Sequence, residues 1–188
     1  VHRSTQANTG SFGQLALQFE QQAFGGFLAD PGHLDQAAKF LLCHRHPDVP
    51  PLLAPDQFIG KKVGEDARIP LASASANLGT SPETLPYLAY TQESGLGRIV
   101  AHRLHGKQDY LHLKPLFSSH LAAVLMSMAL ESKGVAWLPK SLTEQEIADG
   151  RLVRALDESW DIPLEIHLTR PTASLSPSAE QFWAKLGG

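Results

Sequence analysis

Ser118–Ala155, SSHLAAVLMSMALESKGVAWLPKSLTEQEIADGRLVRA, carries four elements in succession and decides the fold class. Leu121, Val124, Leu125 and Met128 follow the i, i+3, i+4, i+7 spacing of one helical face. Ser118 or Ser119 is placed to cap that helix, and Lys133 and Gly134 to close it. Val135, Ala136, Trp137 and Leu138 form an apolar run too short for a helix and stopped by Pro139, which predicts a buried strand. Ser141 with Glu144 three residues on is a capping-box spacing, so a second helix is expected to open there and to stop at Gly150. Leu152 and Val153 begin a further strand. Helix, strand, helix, strand predicts an α/β domain built on a mainly parallel sheet.

Working outward, Tyr87–Tyr90 reads as a strand and is followed by a helix whose apolar face is Leu96, Ile99, Val100 and Leu104. Tyr110–Lys114 predicts a partly exposed strand ending at Phe117. Upstream, Phe40–Cys43 is a continuous apolar run, expected to be a central parallel strand buried on both faces. Phe58–Val63 and Arg68–Ala74 read as two short strands parted by a Gly64-Glu65-Asp66 turn. Leu15, Leu17 and Phe19 alternate as in a half-buried strand, whereas Gly25-Gly26 and Pro31-Gly32 leave the segment between Ala23 and Leu34 ambiguous. Downstream, Ile162, Leu164, Ile166 and Leu168 alternate with Pro163, Glu165 and His167 as another strand. Ser176-Pro177 opens a last helix, on which Phe182, Trp183 and Leu186 are expected in the core.

The composition narrows the function classes. A chain of 188 residues with 43% hydrophobic content holds enough apolar surface for one large domain or two small lobes. A net charge of −3 and the lack of any basic run argue against a surface that neutralises phosphates. One cysteine, Cys43, excludes an internal disulfide and suits a reducing, cytoplasmic compartment. No apolar run is long enough to cross a bilayer, so no membrane partner is expected. Motifs for a Ser nucleophile elbow, a phosphate-binding Gly loop or HExxH are missing, so the chain is read as no enzyme and as needing no cofactor.

Three places have the chemistry of a binding site. In open α/β sheets ligands sit outside the carboxyl ends of the strands. Cys43, His44, Arg45 and His46 occupy such an end, where imidazole and guanidinium groups suit an anion, or where a solvated loop begins with Arg45 paired to Asp48 or another acid. As a metal site the group is poor, because alternation turns Cys43 away from His44 and His46 and no third ligand follows. Tyr90 and Thr91 lie just past another strand end. Ser94 and Gly95 begin the next helix, whose spare N–H groups favour an anion. Ser118, Ser119 and His120 form a second such helix start.

The run from Ser118 to Val153, with PYLAYTQESGLGRIV before it and SPSAEQFWAKL after it, resembles the C-terminal regulatory domain of LysR-type transcriptional regulators. Among these it is most similar to the hypochlorite-responsive regulators, whose GIAWLP, LGR and ERFW motifs stand here as GVAWLP, LGR and EQFW. The resemblance implies an α/β fold of two Rossmann-like lobes joined by two crossover strands, like a type 2 periplasmic binding protein. Lobe I would take residues 1–68 and 163–188, and lobe II residues 69–162. Too few residues precede Gln14 for the strand and helix that open the family's domain, so that first strand and helix of lobe I are expected to be truncated or lost. For that reason Ser4 and Thr5 take over no family contact. Ser118 and Ser119 match the family's cleft-lining position.

Function by resemblance is effector sensing. A small, anionic molecule would bind between the lobes and control DNA binding by an N-terminal winged helix-turn-helix that this chain does not contain. Assembly as a homodimer or tetramer is implied in the same way. Two alternatives stand beside it. One is an oxidant sensor acting through Cys43, Met126 and Met128, although the oxidant-responsive pattern has Met where this chain has His120. The other is a free-standing solute-binding protein of the same architecture.

Overall fold

A computed structural model describes residues 40–51, 53–77, 84–105 and 111–186. Ser4, Thr5, the strand expected around Leu17 and the ambiguous segment after Ala23 lie outside the described residues. The elements run β1 (Leu41–Arg45), β2 (Phe58–Ser73), β3 (Leu85–Tyr90), α1 (Gly95–Leu104), β4 (Leu113–Ser119), α2 (Ala122–Leu130) and β5 (Ala136–Pro139). They continue as α3 (Lys140–Ala148), β6 (Leu152–Arg154), a 3₁₀ turn (Glu158–Trp160), β7 (Ile162–Pro171) and α4 (Pro177–Lys185). The chain divides into two compact units, one containing the described residues up to Glu65 and from Glu165 onward, the other Asp66–Leu164. β2 and β7 each pass from one unit into the other.

In the first unit β7 lies between β1 and β2, and its register with β1 is antiparallel, Cys43 opposite His167 and Arg45 opposite Glu165. β1 is therefore not a parallel strand. Nor is it buried on both faces: Leu42 and His44 are buried while Leu41, Cys43 and Arg45 are half-exposed, the period-2 pattern of a strand with one core side. Leu42 and Ile166 form the core there, with Val63 and Leu168 packed on them. Lys61 donates from Nζ to the carbonyls of Trp183 and Leu186, closing the carboxyl end of α4. Trp183 is held between cations, Lys61 at 5.0 Å and Arg170 at 5.5 Å from its ring centre, and stacks on Phe40. Phe182, expected in the core, is 49% exposed.

In the second unit β3 and β4 pair in parallel, with a bulge at Leu116 where the register slips. Val135 extends the parallel arrangement, bridging Tyr87 just before β5 begins. β5 and β6 then pair antiparallel with β2, Arg68 opposite Pro139 and Ala72 opposite Val153. Among the described residues the parallel pairing is thus confined to β3, β4 and Val135. β2 itself is one continuous strand, because Gly64, Glu65 and Asp66 stay extended instead of turning.

The helices fall where the periodicity puts them, but their ends differ in detail. α2 buries Ala122, Leu125 and Ala129, small residues that let the helix sit close, while Leu121, Val124 and Met128 are only half-buried. Its left-handed stop is Ser132 (φ 61°), not Gly134. Gly134 is needed for another reason: a Cβ there would lie 2.6 Å from the Pro86 carbonyl oxygen, which accepts the Val135 N–H. Ser141 does not form a capping box with Glu144. Its N–H and hydroxyl both go to the carboxylate of Asp66, which reaches across from β2 to satisfy the start of α3. Thr143 donates to the Pro139 carbonyl, and α3 closes at Gly150 (φ 68°) as expected.

Candidate functional site

The carboxyl ends of β3 and β4 lie side by side in the second unit. Tyr90 is opposite Ser119 and Ala89 opposite Ser118, because two adjacent parallel strands end in register. The Thr91 N–H then donates to the Ser119 carbonyl at 3.2 Å, so the two chain ends leave the sheet together. Tyr90, Thr91, Ser118 and Ser119 are thereby brought into one neighbourhood. His120 follows, exposed.

The two serines play different parts. Ser118 is an exposed strand residue and caps nothing among the described contacts, contrary to the cap expected there. Ser119 accepts the Leu121 N–H on Oγ at 3.0 Å, in the turn before α2, whose N-cap is Leu121. Its hydroxyl donates to no acceptor among the described residues.

At the start of α1 the hydroxyl of Ser94 is consumed locally. It accepts the Gly97 N–H at 2.8 Å and donates to the Thr91 carbonyl at 2.7 Å, and the residue is only 2% exposed. The anion seat expected at Ser94 and Gly95 is thus filled in part by the helix's own cap. Gly97, not singled out from the sequence, makes this turn possible: a Cβ there would stand 1.9 Å from the Thr91 carbonyl oxygen.

Cys43, His44 and His46 belong to the first unit. His44 and His46 are buried on the same side as Leu42, and Cys43 points the other way, 3.6 Å from the Thr169 hydroxyl. His46, not Arg45, is the residue that meets Asp48: its Nδ1 accepts the Asp48 N–H at 3.2 Å and stands 3.8 Å from the carboxylate. Among the described residues no group of three or more His, Cys, Asp or Glu converges as a metal site would require.

A cavity of about 570 Å³ opens beside α1 in the second unit, lined among others by Tyr87, Gln92, Leu104, His112 and Trp160. Of the residues expected to contact a ligand only Tyr90 borders it. Burial pushes the Tyr87 phenol well above its ordinary range, so it remains a hydroxyl donor on that wall.

Arg68 is the residue that sequence reasoning missed. It is fully buried in β2, with its guanidinium carbon 5.8 Å from the centre of the Tyr90 ring. Among the described residues none of Nε, Nη1 and Nη2 has a hydrogen-bond partner. Alternation with Ile69 and Leu71 would have turned Arg68 away from them, and it is buried because β2 is covered on both faces from Arg68 to Ser73.

Comparison with known proteins gives the family. Residues 42–187 match the model of the LysR substrate binding domain. The chain belongs to this family. Two curated relatives are each 33% identical over 101 residues, 54% of this chain: the HTH-type transcriptional regulator YjiE of Escherichia coli strain K12 and the HTH domain-truncated transcriptional regulator QseD of Escherichia coli O157:H7. The match covers 33% of the first and 41% of the second, so the chain spans less than half the length of either. Among solved structures, the bromide-bound regulatory domain of HypT from Salmonella typhimurium superposes with a TM-score of 0.66 at 27% identity, over 79% of this chain and 70% of that one. The two-lobed α/β regulatory fold expected from the motifs is the fold this LysR-type domain has.

Proposed function

We propose that this LysR-type domain senses a small anionic effector, which it binds at the carboxyl ends of β3 and β4. The observation that carries the reading is the registered ending of these two parallel strands, which sets Thr91 beside Ser119 and leaves a serine hydroxyl able to donate. Strand ends of this kind are where α/β folds place ligands. The bromide held by the Salmonella regulatory domain supports an anion as the ligand class. The role is binding, not turnover. An effector changes the protein's behaviour only through contacts that differ between two conformations, so bound and free states must differ around Tyr90 and Ser119.

Regulation of transcription would follow in a longer protein carrying a helix-turn-helix, as the name of YjiE describes; QseD is named as truncated in that part. In such a protein the helix-turn-helix makes the DNA contact, the sensor domains pair as dimers or tetramers, and the site of action is the cytoplasm. A thermal-shift screen of small acids and neutral metabolites on the 188-residue chain tests the reading. At least one compound should raise the melting temperature in a saturable way, and Ser119→Ala should weaken that response. A screen in which nothing stabilises the chain would remove the sensor reading.

A further inference from the structure

We propose that Arg68 is the anion-recognising group of this domain and that its ligand is a small planar monovalent oxyanion, a carboxylate in the first instance. The inference rests on the effector reading above and names the residue and the ligand class. Arg68 is fully buried, and all three of its side-chain nitrogens lack partners. A guanidinium stays charged at any ordinary pH, and removing an uncompensated charge from water is costly. The nearest acid along the strand is not available to it. Asp66 spends its carboxylate on the Ala67 N–H and on the N–H and hydroxyl of Ser141 at the start of α3. The local design therefore sets a cation inside the second unit and commits the neighbouring carboxylate elsewhere.

Position adds to this. Arg68 is the register partner of Pro139, where β5 ends, and it faces the ring of Tyr90, where β3 ends beside Ser119. The cation thus stands beside Tyr90, the residue at which β3 ends next to the hydroxyl and N–H groups of the candidate site. A guanidinium presents its donors as a flat fork that matches two carboxylate oxygens. One charge calls for one charge in return. Because Arg68 is sealed in the present conformation, an anion binds by favouring a conformation in which the fork is reachable, which links recognition to a structural change.

The test is calorimetric and thermal-shift titration of the 188-residue chain with formate, acetate and bromide at constant ionic strength. It compares wild type with Arg68→Met, Arg68→Lys and the exposed control Lys140→Gln. Wild type and K140Q should bind formate or acetate saturably. R68M should lose the response yet melt no lower than wild type without anion, since it removes a buried unpaired charge. R68K keeps the charge without the fork and should bind about ten- to a hundredfold more weakly. An R68M protein that responds like wild type overturns the assignment and leaves the effector reading standing. A wild type blind to all anions but stabilised by a neutral compound overturns the assignment and the anionic class of the effector, and leaves only the sensor reading standing. A wild type stabilised by nothing sinks both. Tighter binding of bromide than of formate, lost in R68M, would overturn the preference for a carboxylate.

Discussion

In the second unit Leu88, Leu125, Trp137 and Leu138 are sealed from solvent, and the sole polar handle of Trp137 donates to the Trp160 carbonyl at 2.9 Å. In the first unit the described residues combine a small apolar core, Leu42 and Ile166 with Val63 and Leu168, with a set of ion pairs. Lys62 reaches Glu65 and Glu165, Glu165 also meets His167, Arg170 meets Glu180, and Lys61 closes α4. Apolar burial is non-directional, does not titrate and is not screened by salt, whereas exposed ion pairs are weak and screened. The two regions should therefore fail under different stresses.

The largest effect that would test this contrast is Trp137→Ala. It removes a fully buried aromatic and should destabilise the chain by about 3–5 kcal/mol in urea denaturation. Gly97→Ala comes next, at about 3 kcal/mol or more, because the added carbon would overlap the Thr91 carbonyl and push apart α1 and the turn that carries Thr91. Anion-induced stabilisation should fall with it. Asp66→Ala should cost about 1–2 kcal/mol, the usual loss of a helix-start acceptor, and should raise amide exchange in the first turn of α3 while leaving α1 unchanged. If all three variants melted like wild type, the apolar account of the second unit would be wrong.

The smallest effect belongs to the charged unit and sharpens the comparison by its sign. Glu165 is held below the ordinary carboxylate range by His167 and Lys62, and Glu180 by Arg170 and the Leu175 N–H. A depressed folded-state pKa means stability that is present above the unfolded value and is lost as pH falls through the folded one. Acidification below the usual carboxylate range should therefore loosen β7 and α4 before β3 and β5, read as residue-resolved hydrogen exchange. Added salt should mimic the loss in part. Glu180→Gln should abolish the acid dependence at α4. Exchange that rises uniformly across both units would contradict the contrast.

How much of this was legible beforehand varied with the range of the interaction. The helices at 95–104 and 140–148 and the strand at Trp137 were read from periodicity, caps and breakers, which act within a few residues. The capping of α3 was misread because a local Ser-x-x-Glu spacing competes with a distant acceptor, and Asp66 won. The Gly64-Glu65-Asp66 segment looked like a turn by composition, yet β2 runs through it because its neighbours supply the hydrogen bonds of a strand. Of the candidate site, Tyr90, Thr91, Ser118 and Ser119 were expected as strand ends and helix starts, and the structure brings them together, although which serine is tied up locally was not legible.

Chain order alone determined that apolar runs alternate with amphipathic helices in the pattern of a LysR-type domain, since periodicity and turn chemistry are written residue by residue. Tertiary structure decided which strands are antiparallel, that Asp66 serves α3, and that Arg68 is buried with its charge unmatched. The physical reason is that hydrogen-bond and charge partners are chosen across space, and a sequence records each group without recording what it meets.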